Sequence, residues 1–166
     1  MTENNKIKNR ISEVAFEFER DYGNCPQVVC GAFMEILNFP NKEVFKSCSG
    51  IGGGLGKKGD VCGALIGGCL VIGSKSGREY EDFEEPSPTD CVKMVKELTE
   101  KFEEEYGSTN CKDIQEKIMG RSFDLWDEDD WIAFEEAGGH EDKCPSVTKN
   151  SAIWTFEILE KYDYLE

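Results

Sequence analysis

The sequence predicts an all-α fold, on three observations. Apolar residues recur at three- and four-residue spacing along several segments, as on the buried face of a helix. Helix-start and helix-stop residues bracket those segments, with Asn24 and Pro26 at one start and Gly107 and Gly120 at two stops. Alternating β-branched runs of the kind that form strands are scarce.

Ile7, Ile11, Val14, Ala15 and Phe18 define a first helix ending near Tyr22 and Gly23. Asn24 reads as the N-cap of a second, with Pro26 in its first turn and Pro40 closing the segment. A short helix, "NKEVFKSC", leads into "GIGGGLGKKGDVCGALIGG" at 50–68. After Asp60 the run through Leu70 and Ile72 predicts a central, buried helix, well short of the roughly 20 residues that span a bilayer. The loop "EEPSPTD" precedes a long amphipathic helix with Val92, Val95, Leu98, Phe102 and Tyr106 on one stripe, ended by Gly107. A shorter helix starts near Asn110 and stops at Gly120, and a last one starts at Pro145. Between these two, residues 121–143 read as an acidic, aromatic insertion with a short helix around Trp131. The expectation is one domain over 1–166: a helical bundle with a Gly-rich loop and this insertion inside it.

A formal charge of −15 excludes a nucleic-acid surface, which needs clustered Lys and Arg. Two segments, 79–105 and 121–143, carry that net charge; both read as solvated faces, with an acidic docking face for a basic partner as the sharper alternative. The N-terminus alternates charged and apolar residues with no h-region, so a cytoplasmic, reducing environment is expected. Eight cysteines are then more than folding needs in a chain of this length.

Their positions separate them. Cys25, Cys62, Cys111 and Cys144 each fall at a predicted helix N-terminus, where free N–H groups and the helix dipole favour thiolate, the form that attacks disulfides and binds metals. Cys30, Cys48 and Cys69 read as small hydrophobes, and Cys91 is left unassigned. No C-x-x-C occurs, and no C-x-x-C-H, so covalent haem is excluded. "GLGKKG" matches G-x-G-x-x-G, but no strand precedes it, and Lys58 stands where a phosphate loop carries Ser or Thr. Its glycines are expected instead to let backbone pass close to the Cys62 region. His140, the single histidine, lies four residues before Cys144 and is a candidate ligand or base, weighed against an exposed loop position. Trp126, Trp131 and Trp154 read as packing, and Asp127–Asp130 lacks the glycine and final glutamate of a calcium loop.

"NCPQVV" at 24–29, the glycine segment at 50–68, "YGSTNCKDI" at 106–114 and "KCPSV" at 143–147 together resemble the redox-active protein family labelled C_GCAxxG_C_C. Its CGAxxG motif would be Cys62 to Gly67, and the likeness spans 24–160. The resemblance implies four signature cysteines, here Cys25, Cys62, Cys111 and Cys144, and redox activity without a specified reaction. A similar domain accompanies haem and non-haem iron in split-Soret cytochromes, whereas this chain lacks the haem motif. The acidic segment is longer than the family's usual link before the last cysteine.

Three functions remain in play. In the first, the four thiolates converge on an iron–sulfur cluster for electron transfer, with zinc as a redox-silent competitor and Gly54, Gly56 and Gly63 letting the loop wrap around it. In the second, the chain is a thiol–disulfide oxidoreductase whose attacking thiols are Cys25 and Cys62. The third is a binding or structural module. The partner expected is a redox protein, with a homodimer open, and neither nucleic acid nor membrane insertion.

Overall fold

The computed structural model describes residues 2–165, and these form eight α-helices and no strand. Helix α1 (Glu3–Tyr22) buries Ile11, Val14 and Ala15 and ends at Gly23, whose positive φ of 67° breaks the turn. Helix α2 (Cys25–Leu37) follows at once with Pro26 in its first turn. Asn24 does not cap it through its side chain. It lies in the left-handed region and its amide donates instead to the Ser49 carbonyl, tying the start of α2 to the chain before the glycine loop. Helix α3 (Lys42–Ser47) is capped by Asn41, whose side chain accepts from the Val44 amide. A 3-10 turn, Cys48–Gly50, then opens the loop.

Helix α4 (Gly63–Ser76) is the central element the apolar run predicts, packed on α2, α5 (Thr89–Tyr106) and α8 (Cys144–Lys161). Glycine makes this crowding possible. A methyl on Gly67 would stand 2.9 Å from the Pro26 carbonyl oxygen and the Val29 Cβ, and one on Gly68 would stand 2.6 Å from Leu98 Cδ2. Helix α1 packs against α8 and α2, closing the bundle. In α5 the buried stripe is Met94, Leu98, Phe102 and Tyr106. Val92, expected on it, lies in the first turn and is exposed. Helix α6 (Cys111–Met119) ends at Gly120, and α7 (Glu128–Glu136) is the short helix expected around Trp131. A π-helical turn, Gly139–Lys143, runs directly into α8. No helix among the described residues is long and apolar enough to cross a membrane.

Candidate functional site: four thiols around one cavity

Four helix starts meet at one end of the bundle. Cys25 is the first residue of α2, Cys62 precedes α4, Cys111 opens α6 and Cys144 opens α8. Two local devices bring them together. Gly63 lets α4 approach α2: a methyl there would lie 2.7 Å from Pro26 Cδ and 3.3 Å from Cys25 Cβ. A short antiparallel bridge, Val61 to Asn110, joins the end of the glycine loop to the start of α6. The Cys62 amide donates to the Thr109 carbonyl at 2.8 Å and the Cys111 amide to the Asp60 carbonyl at 2.6 Å. Cys62 and Cys111 are thereby fixed side by side. All four cysteines line one cavity of about 20 Å³, room for a water-sized particle, whose other walls include Ile114, Gln115 and Val147.

The loop that precedes Cys62 explains its glycines. Gly53, Gly54, Leu55, Gly56 and Lys57 all have φ between 54° and 68°, a left-handed run that L-residues with side chains rarely sustain. A methyl on Gly54 would stand 2.8 Å from Cys111 Cβ and 2.6 Å from the Asp60 carbonyl oxygen, so this glycine is where loop backbone closes on the thiols. Gly56 has no such neighbour. Its glycine answers to φ alone, and its carbonyl accepts from the Trp126 indole at 2.9 Å.

The thiols are not activated as their helix positions suggest. Burial pushes Cys62 up to about 11 and Cys111 to about 12, and drives Cys25 and Cys144 well above the ordinary thiol range. Repulsion from the buried Glu19 and from the other cysteines adds to the rise at Cys25 and Cys144. For Cys62 the Ala64 and Leu65 amides offset the rise in part, as a helix N-terminus should, but desolvation outweighs them. The Cys111 amide is already spent on Asp60. Burial thus favours the neutral thiol where helix position predicts thiolate.

Beside them lies a polar chain that no motif in the sequence announces. Glu19, fully buried on α1, accepts from Cys25 Sγ at 3.3 Å through Oε1, and its Oε2 has no partner. His140 Nε2 is 3.7 Å from the same Oε1, while its Nδ1 lies 2.6 Å from Glu135 Oε1. Burial raises the Glu19 carboxyl to about 7, against opposing pulls from His140 and the Cys25 thiol. A signal does exist in the helical spacing: Glu19 continues the stripe Ile11 and Ala15 at four-residue steps, a charged residue on a buried face. His140 is thus held at the site rather than exposed on a loop.

Outside the four, Cys30 and Cys48 are fully buried, as small hydrophobes should be, yet their sulfurs are 3.8 Å apart, a neighbourhood that sequence spacing did not reveal. Cys69 and Cys91 are half-buried and near each other: burial, with a further push from Cys91, raises the Cys69 thiol to about 11.

The donor set suits a soft metal centre, since four thiols share one cavity and a cation there would supply the charge that their ionisation lacks. Among the described residues, however, no three or more His, Cys, Asp or Glu side chains are drawn together tightly enough to hold a single metal ion. Neither the curated proteins nor the solved structures provide a match. A family model described as "Putative redox-active protein (C_GCAxxG_C_C)" matches residues 23–158, which takes in all four helix-start cysteines, the glycine loop and the insertion. The chain belongs to that redox-active protein family.

Proposed function

We propose that the chain is an electron-transfer protein whose Cys25, Cys62, Cys111 and Cys144 hold an iron–sulfur cluster. The observation that carries this is the meeting of four thiols, from four separate helix starts, on one buried cavity. Zinc would satisfy the same donors but carries no electron itself. The cavity takes only a water-sized particle, so a cluster would hold the four helix starts further apart than they stand here. When bound, the cluster would supply one-electron chemistry. Gly54 and Gly63 keep loop and helix backbone close to Cys111 and Cys25, and the Ala64 and Leu65 amides support sulfur charge at Cys62.

One observation favours a second reading, thiol–disulfide exchange. The Cys25 thiol donates to Glu19, a carboxylate placed to take its proton when the sulfur attacks. Ligand counting separates the two. Anaerobic purification, metal analysis and an absorption spectrum are applied to the protein and to Cys25→Ser, Cys62→Ser, Cys111→Ser and Cys144→Ser. A cluster predicts iron in the parent protein and reduced iron and bleached absorption in each variant. Colourless, iron-free protein that reduces a model disulfide, with only two of the four substitutions damaging, overturns the cluster in favour of exchange.

A further inference from the structure

The sulfur centre has an outer side as well as an inner one. Cys25, Cys111 and Cys144 also line a cleft of about 590 Å³, within the range that accepts small organic molecules, while Cys62 lies behind them. Leu125, Trp126, Trp131 and Phe134, all from the insertion, form one wall of this cleft. Its polar groups are mostly spent on one another. Arg20 pairs with Asp21, His140 lies between Glu135 and Glu19, and the Gln115 side chain joins Cys111 to the Phe123 amide.

Lys57 is different. Its ammonium stands 4.5 Å from the Trp131 ring centroid and 5.6 Å from that of Trp126, and among the described residues no carboxylate forms an ion pair with it. In a chain of net charge −15, a cation held over two indoles rather than against an acidic side chain is placed to meet a negative charge that the chain does not provide.

We propose that this cleft binds a small, flat, conjugated molecule bearing an anionic group, with the aromatic wall against its body, Lys57 against its charge, and Cys25, Cys111 and Cys144 beneath it. Flavins with a phosphate and quinones with an acidic substituent share this chemistry. The site depends on the cluster reading for its redox meaning, not for binding, so the two can fail separately.

The test is equilibrium dialysis of the full chain against FMN, lumiflavin, which has the same ring without the phosphate, and anthraquinone-2,6-disulfonate. Saturable binding of at least one anionic probe is expected, with lumiflavin weaker than FMN where FMN binds. Lys57→Met keeps an unbranched side chain at the positive-φ position and is expected to weaken the anionic probe about tenfold while leaving any lumiflavin binding unchanged. Trp126→Ala, at a 73 % exposed residue outside the core, should weaken each probe that binds. Binding of FMN alone assigns the flavin source and of the disulfonate alone the quinone source. No saturable binding of either anionic probe, or binding that Lys57→Met leaves unchanged, overturns the proposal. Binding to iron-free protein upholds the cleft while the cluster fails, and an iron-containing protein that binds neither anionic probe upholds the cluster while the cleft fails.

Discussion

The two acidic segments have similar charge and opposite roles. In 79–105 the acids lie on an exposed turn, where Tyr80 and Phe83 are also exposed, and on the outer face of α5, where they form surface ion pairs such as Asp90 with Lys93 and Glu97 with Lys161 of α8. In 121–143 the acids surround an aromatic cluster. Phe134 is buried against Phe123, Trp131 and His140, with ring centroids 5.1–5.8 Å apart, and this cluster presents His140 to Glu19 and Trp126 to the glycine loop. The expectation that both are merely solvated faces therefore holds for the first and fails for the second. Net charge does not distinguish them. What lies between the charges does: the clustered rings of 121–143 make a wall beside the thiols, whereas in 79–105 the rings of the turn stay in water and Phe102 packs into the bundle on the far face of α5 from the acids.

The contrast is easiest to break with phenylalanine. Phe134→Ala should cost about 3–5 kcal/mol of stability by leaving a cavity in the insertion's cluster, while Phe83→Ala should cost no more than about 0.5 kcal/mol. Urea unfolding of both variants measures the difference, and equal costs would mean that the insertion is as solvated as the other segment.

A smaller effect concerns Glu19, which the insertion's His140 faces. Its carboxyl is raised from 4.5 to about 7 in the folded protein, so the native state holds this proton more tightly than the unfolded chain. The resulting stability is complete below pH 4.5 and is lost as pH rises through about 7, a span worth about 3 kcal/mol. In metal-free protein Glu19→Gln should remove this fall. His140→Ala takes away a group that lowers the Glu19 value, so the fall should extend to higher pH. Chemical unfolding at a series of pH values checks both, and parallel pH profiles for parent and Glu19→Gln proteins would rule out the buried acid as the cause.

Trp126→Ala removes one hydrogen bond between insertion and loop and should cost about 1 kcal/mol. It should also speed tryptic cleavage at Lys57 and Lys58, read by mass spectrometry. Neutralising Glu79, Glu81 and Asp82 together should change stability by no more than about 0.5 kcal/mol and, if the parent protein proves to carry iron, leave its iron content as it was. Iron loss in that triple variant would show that the first segment also supports the site.

The helices and the four helix-start thiols were legible because periodicity, glycine stops and the signature spacing are local. Several features were not, for physical reasons. Desolvation of Cys25 and Cys144 depends on what covers them, which no helix position reveals, so thiolate was expected where burial favours the thiol. The Cys30 and Cys48 contact needs α2 to meet the turn after α3. Asn24 carries a residue type that suits an N-cap, but the tight join between α1 and α2 holds it in the left-handed region and sends its amide to Ser49. Glu19 was readable and unread.

Cys25 follows the first helix and Cys144 opens the last, and α1 and α8 are packed on each other. On the ribosome the first thiol therefore emerges long before the fourth, and the cavity lacks a side until α8 docks. A nascent chain halted before residue 144 would carry three of the four site thiols with no complete pocket to hold them. Completing the site is thus a late event in the life of each molecule, set by when α8 leaves the exit tunnel rather than by when the first cysteine appears.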